Sequence, residues 1–374
     1  MNYLDPVLKA GRIFKRRSQR KSIVQWCMKR LWQMSPRPAA DADTPQLEKI
    51  SPDEGHSCLI NNNIEANPIY DVQVIMPVYN TADTLVRAVE SVLAQCKEVS
   101  LLLTIINDGS PDNAAEVLRR YEEMPDVEII TQPNRGFSGA RNAGLAHIRA
   151  RYVTFLDSDD RLAEGGLRGL LDAALRHDAD IVQGGTERVT LDGSLINRVV
   201  TPELMGRGAI TGFVWGKLYR SSLFQSVGFP EGYWFEDSLT DFILLPLAST
   251  IVSVPVMTYI YYVNPNGITA NARHSVKILD TLWVTRRLLA DRMMLGLHPT
   301  ADDYDVFLRQ VVQNHKRIAR ALGPRAAHGQ WQQHRHLQRV YFHGLHSADP
   351  CLEAVGMALS KGSYILTRFL SGMV

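Results

Sequence analysis

The feature that most constrains this chain is an alternation of short apolar runs with amphipathic stretches between Asp71 and Gln183. Val72–Met76, Leu101–Ile106, Val127–Thr131, Tyr152–Leu156 and Asp180–Gln183 are too short and too uniformly apolar for surface helices, and read as buried strands. Thr81–Gln95, Asn113–Tyr121, Ser138–Ile148 and Glu164–Arg176 lie between them and read as helices. In the first of these, Leu85, Val89, Val92 and Leu93 share one face. A buried strand followed by a helix, repeated at this spacing, predicts an α/β sandwich whose central sheet is mostly parallel and covered on both faces.

The pattern changes beyond Gln183. Glu187–Val200 carries an Asp192-Gly193 turn between β-rich arms and predicts a hairpin. Phe242–Val263 is the apolar part of the longest uncharged stretch and is long enough to span a bilayer, but Pro246, Pro255 and several Ser/Thr interrupt it. It reads as a buried helix followed by a buried strand. From about Arg273 the chain turns helical, with Ile278, Leu282, Thr285 and Leu289 at helical spacing. At the other end, residues 3–34 have helical composition, and Val24, Cys27, Met28 and Leu31 fall on one stripe with cations between them. Pro36–Pro68 is rich in Pro, Asp and Asn without a period, and reads as a linker with a short helix near Gln46–Ile50. The expected organisation is a basic amphipathic helical arm (1–37), a linker (38–69), an α/β domain (70–265) and a helical C-terminal region (266–374).

Charge separates these parts. Residues 1–37 hold ten Lys and Arg against Asp5 alone, yet the whole chain of 374 residues has a net charge of only +2. An acidic body with a basic arm excludes an evenly basic nucleic-acid binder. The arm is expected to touch an anionic membrane surface, or else to pack on the body or on a second copy in a homo-oligomer. Cys27, Cys58, Cys96 and Cys351 are scattered without CxxC spacing, which fits a reducing compartment and argues against a zinc site. The N-terminal apolar residues are broken by Asp5, Lys9 and Arg12, so no signal peptide is read. The expected location is cytoplasmic, with peripheral attachment to the inner face of the plasma membrane.

Open α/β sheets bind ligands at the carboxyl ends of their strands. Here those ends read Pro77-Val78-Tyr79-Asn80, Asn107-Asp108-Gly109-Ser110 and Asp157-Ser158-Asp159-Asp160. Carboxylates two residues apart at a strand end can reach a hard cation, and Mg²⁺ typically takes one or two carboxylates plus substrate phosphates. The same residues can simply form a solvated turn that caps the next helix. Spacing alone leaves both readings open. Gly136, Gly139 and Gly144 do not have GxGxxG spacing, so a dinucleotide fold is not indicated.

The run Val74-Ile75-Met76-Pro77-Val78-Tyr79-Asn80, then Ile106-Asn107-Asp108-Gly109-Ser110 with Asp112-Asn113, then Asn134-Arg135-Gly136 with Ala140-Arg141-Asn142-Ala143-Gly144, and finally Phe155-Leu156-Asp157-Ser158-Asp159-Asp160 resembles the family 2 glycosyltransferases in order and spacing. A weaker match runs through Trp215–Arg220 and Phe229–Gly232 to Phe235-Glu236-Asp237. The resemblance implies a GT-A fold, a nucleotide-sugar donor with UDP the most frequent base, and inverting transfer to a saccharide or lipid-linked saccharide acceptor in surface polysaccharide or glycolipid assembly. It implies a divalent metal, Mn²⁺ or Mg²⁺, held by Asp159 and Asp157. Donor binding would involve Pro77, Tyr79, Asn80, Asp108, Gly136, Arg141, Asp157 and Ser158. Asp237 matches the general base, with Glu236 beside it and Asp241 as the fallback. One position differs: Asn107 stands where the first of two aspartates is common.

Each role has a plainer rival. Glu236-Asp237 suits a helix N-terminus, where acids favour the dipole. Arg135 and Arg141 suit donor phosphates or salt bridges. Trp215 and Trp234 could stack on an acceptor sugar or be ordinary core aromatics. Among the histidines only His274 reads as a further metal ligand. Two other functions compete: a catalytically degenerate scaffold, and a sugar nucleotidyltransferase. The latter usually has a Gly-rich, Arg-containing loop where Pro77–Asn80 stands.

Overall fold

A computed structural model describes residues 17–33, 44–265, 267, 271 and 274–374. The expectations for residues 1–16 and 34–43 lie outside these. Two compact units emerge, Gly55–Ala270 and Met1–Glu54 with Asn271–Val374.

The first unit is built on one ten-stranded sheet. Its main strands are β1 (Tyr70–Val78), β2 (Leu101–Asn107), β3 (Val127–Thr131), β4 (Ala150–Phe155), β5 (Ile181–Val189), β6 (Leu195–Val199), β7 (Lys217–Arg220) and β8 (Ile251–Tyr262). Leu204–Met205 pairs with β8, and the path continues β8-β5-β7-β4-β1-β2-β3, with β6 on β5. β4, β1, β2 and β3 are parallel neighbours. Val72, Val74 and Met76 on β1 are fully buried, with Leu85, Val89 and Val92 of the helix Ala82–Leu93 in the same core. Leu93 packs against this core from its margin.

The structure corrects several expectations. The fifth apolar run does not adjoin the fourth: antiparallel β7 lies between β5 and β4, so the sheet is mixed, with a parallel block. β7 is only four residues long, too brief for its alternation to be read. The third helix ends at Leu145 rather than Ile148, because His147–Ile148 pairs with Asn63–Ile64. That pairing draws residues 55–69, read as linker, into this unit. There Cys58 is buried, and the Asn62 amide donates to the carbonyls of Phe224 and Val227 at 2.6 and 3.0 Å. Side-chain bonds to distant backbone leave no periodic trace in the sequence. The Phe242–Val263 stretch divides into a π-turn (Thr240–Leu244), a short α-turn (Leu245–Leu247) and β8. The Asp192-Gly193 hairpin joins β5 to β6.

The second unit is helical: Arg17–Trp32, Thr44–Ile50, Asp280–Met294, Ala301–Tyr341, Pro350–Ser360 and Tyr364–Ser371. Gly323, at φ 83°, breaks the long element, and Pro324 restarts it. Thr300 and Asp303 form a capping box at its start. Ile278, Leu282, Thr285 and Leu289 are all buried, as their spacing requires. In Arg17–Trp32, Val24 and Cys27 are buried and the helix packs on Pro350–Ser360, whereas Trp26 is 58% exposed. No helix among the described residues is long and apolar enough to cross a membrane.

Candidate active site

The carboxyl ends of β1, β2 and β4 meet at one edge of the sheet because these strands are parallel neighbours in register. Their loops are stitched together. The Asn80 amide donates to Ser110 Oγ at 2.7 Å, and the Ala82 amide to Asp112 Oδ2 at 2.8 Å. Thr81 Oγ1 lies 2.8 Å from Ser158 Oγ, while Arg87 donates to the Asp159 carbonyl at 2.7 Å. Two turns need unusual backbone. Asn80 sits at φ 56°, and Gly109 at φ 66°, where a Cβ would come within 3.0 Å of the Asn134 amide nitrogen.

Asp108 is buried at the end of β2. Its Oδ1 accepts from Gln132 Nε2 at 2.7 Å and from the Arg135 amide at 2.9 Å. Its Oδ2 is buried and has no hydrogen-bond partner among the described residues. A buried carboxylate oxygen without a donor is costly, so its geometry suits a ligand that brings an N–H or O–H. Tyr79, just past the end of β1, is half exposed, and Pro77 is partly buried. Gly136, at φ 71°, opens the helix Gly136–Leu145 and has open space where a Cβ would be.

Arg141 organises the centre. Its side chain is 5% exposed, and it donates to Asp157 Oδ1 at 2.8 Å and to Glu236 Oε1 at 2.5 Å. Burial works against its charge, but Asp157 and Glu236 outweigh that effect and raise its pKa. Burial pushes the Glu236 carboxyl upward, Arg141 pulls it back, and Asp237 adds to the rise. Of the two readings open for Arg141, donor phosphates or salt bridges, the structure displays the ion pairs, with a carboxylate on either side. Arg135 is likewise engaged, with Glu231 at 2.6 Å.

Asp157 and Asp159 follow β4. Burial, and then the charge of Asp157, push the Asp159 carboxyl up to about 6. Asp160 rises well above the usual carboxylate range through burial and its two acidic neighbours. It accepts from Tyr259 Oη and from the Tyr262 amide, each at 2.8 Å. Hard oxygen donors that repel one another at the mouth of a sheet fit a divalent cation whose remaining ligands come from a diphosphate. Among the described residues no three His, Cys, Asp or Glu gather as a closed protein-only metal site. His274 falls in the helical unit, apart from this unit's residues in the division of the chain. Ser158 is buried and bonded to Thr81, and its carbonyl accepts from Thr84 Oγ1 at 2.9 Å.

Glu236 and Asp237 form the turn immediately before Ser238, where helical structure begins. The preceding Phe235 holds φ 66°, a strained conformation for a bulky residue. The π-turn that follows carries Asp241, whose carboxyl is pushed up to about 6 by burial while Lys217 opposes the rise. Lys217 is fully buried; burial lowers its ammonium to about 7 against Asp241 and Asp237. Its Nζ donates to Thr211 Oγ1 at 3.2 Å and to the Phe213 carbonyl. Lys217 and Phe213 carried no assigned role in the sequence reading. The Thr211–Lys217 run, with aromatics at alternate positions Phe213 and Trp215, held the only hint.

Residues 73–233 match the family model described as glycosyl transferase family 2. Over that segment the chain is similar to glycosyl transferase family 2. It is 27% identical over 287 residues to the uncharacterized glycosyltransferase YibD of Escherichia coli, covering 68% of this chain and 80% of that protein. It is 27% identical over 219 residues to glycosyltransferase GlyA of Streptococcus pneumoniae, covering 53% of this chain but only 31% of GlyA. The succinoglycan biosynthesis protein ExoO of Rhizobium meliloti is 36% identical over 135 residues, 36% of this chain and 38% of ExoO. The mixed sheet with its parallel block agrees with the GT-A arrangement expected from the motifs.

Proposed function

We propose that this chain is a family 2 glycosyltransferase that moves a sugar, with inversion, from a nucleoside diphosphate sugar to a hydroxyl of a saccharide or lipid-linked saccharide in surface polysaccharide or glycolipid synthesis. The observation that carries this reading is the buried Arg141, which ties Asp157 at the end of β4 to Glu236 beside Asp237. That link holds the donor-side acids and the acid-bearing turn as one rigid assembly.

In this reading, Asp108 Oδ2 accepts a base N–H of the nucleotide, with Tyr79 alongside. UDP is the favoured nucleotide on family frequency. Mn²⁺ or Mg²⁺ on Asp159 and Asp157 would neutralise the charge gathering on the departing diphosphate. Asp237 accepts the proton of the acceptor hydroxyl as its oxygen bonds to the anomeric carbon. The bond from that carbon to the diphosphate oxygen breaks on the opposite face, so the configuration inverts. Glu236, clamped by Arg141, fixes the turn from which Asp237 projects.

Asp237→Asn should lower transfer by about 10²–10⁴-fold while leaving donor affinity in place. Transfer at the wild-type rate would remove Asp237 from its role. ExoO's name, that of a succinoglycan biosynthesis protein, supports the polysaccharide setting. The basic arm 1–37 is proposed to dock on the anionic inner leaflet, each Lys or Arg near the surface contributing about 1 kcal/mol. Co-sedimentation with phosphatidylserine vesicles should fall sharply for the Δ1–37 protein, and equal binding would end that part of the proposal.

A further inference from the structure

Of the two readings open for Trp215, a stacking face for sugar or an ordinary packed aromatic, the structure shows the second: its faces are taken. It stacks on Phe213, with centroids 4.6 Å apart and planes 10° apart, and on Tyr259, at 4.5 Å and 17°. Tyr261 extends the stack at 5.8 Å and 18°. The stack is anchored at its inner end in the acidic loop: Tyr259 Oη donates to Asp160 Oδ2 at 2.8 Å and accepts from the Asp157 amide at 3.3 Å. Its outer end is Phe213, which remains 47% exposed.

The loop that presents Phe213 is pinned from two sides. Buried Lys217 holds Thr211 Oγ1 and the Phe213 carbonyl, while Gln183 Oε1 accepts from the Thr211 amide at 2.8 Å. On the other side the loop lies against Asp241: a Cβ at Gly212 would sit 2.6 Å from Asp241 Oδ2. An exposed aromatic is ordinarily mobile and weakly specified. This one is oriented by a stacked partner and a buried cation; it follows Gly212, which lies against Asp241, and precedes Lys217 by four residues, and both Asp241 and Lys217 interact with the proposed base, Asp237.

We propose that Phe213 is the acceptor platform, on which the apolar face of a pyranose ring of the saccharide acceptor stacks. A pyranose with several axial-side C–H bonds on one face complements the negative π-face of an aromatic, and its hydroxyls stay at the rim to meet Asp237 and solvent. Trp215 then acts as a positioning residue that transmits the placement of Tyr259 to Phe213. This inference rests on the glycosyl-transfer reading above and assigns the acceptor side of that site.

The test uses the full-length protein with Mn²⁺. Nucleotide release from a panel of nucleotide sugars, without acceptor, first reports whether donor turnover occurs. Saturation-transfer NMR with octyl glycosides of glucose, galactose, mannose and N-acetylglucosamine then reports pyranose binding, and steady-state transfer gives the acceptor KM for any that react. Phe213→Ala and Phe213→Leu should each weaken pyranoside binding, or raise acceptor KM, by about five- to tenfold, and Phe213→Trp should restore it. The effect should fall on the acceptor and not on donor KM. Wild-type protein that releases no nucleotide from any donor would overturn the transfer reading itself. Donor turnover without binding of any pyranoside, or binding unchanged in both Phe213→Ala and Phe213→Leu, would overturn the platform alone.

Discussion

The two units of this chain bury polar groups in different arrangements. The sheet unit buries charge: Arg141 between Asp157 and Glu236, Lys217 facing Asp241 and Asp237, and Asp160 under Tyr259. The helical unit also buries charge, at Asp280, Asp291, Arg292, Asp303 and Arg335, with Arg292 and Asp303 paired at 2.9 Å, and adds buried neutral groups such as His334, Gln330 and Gln338. Burial drives the His334 ring down to about 3, so it stays neutral at any ordinary pH. Charges that repel in a dry cleft are a cost to folding that only a ligand or a reaction repays, whereas neutral hydrogen-bonded groups fix a helix register without that cost.

The difference predicts unequal responses to mutation and to acid. The largest stability effect should come from Arg141→Leu, which leaves Asp157 and Glu236 buried without their cation. A loss of about 3–5 kcal/mol, read as a shift in urea midpoint, is expected. Arg141→Lys should recover only part of it, because an ammonium cannot fork to both carboxylates. A neutral Arg141→Leu would mean that the two acids are already protonated and the charge cluster is not real.

Acid should act with opposite sign on the two units. For His334 the folded pKa is depressed, so between about pH 6.5 and 3 the unfolded chain binds a proton that the folded chain does not. Stability is therefore lost as pH falls through that window, by up to about tenfold in the folding constant per pH unit from this ring. For Asp241 the folded pKa is raised to about 6, so the folded state takes up the proton first and its burial penalty is relieved as pH falls from 6 toward 4. His334→Met should flatten the acid limb of the helical unit's unfolding. An unchanged limb would show that other groups set it.

The two regions also differed in how far they could be read in advance. In the sheet unit the strand ends were legible because parallel pairing forces Asn80, Asp108 and Asp157 to one edge, and each sits directly after an apolar run. The partner of Arg141 was not legible. Glu236 is 95 residues away, and nothing in its local pattern separates a buried ion pair from a helix-capping acid. Phe213 was missed for a related reason: an exposed ring acquires meaning only from the ring beneath it. Residues 55–69 were taken for linker because they are held by isolated bonds such as those of Asn62, not by periodic burial. In the helical unit, Ile278, Leu282, Thr285 and Leu289 announced a core face, but the break at Gly323-Pro324 and the buried histidines carried no motif to read.

The most direct measurement is nucleotide release from a panel of nucleotide sugars, followed with Mn²⁺ and with EDTA, in the wild-type protein and in Asp159→Ala. If the acids after β4 grip a cation against the donor diphosphate, at least one donor should be turned over with Mn²⁺, fall to background with EDTA, and be lost in Asp159→Ala. Release that is indifferent to EDTA and to the loss of the Asp159 carboxylate would contradict it.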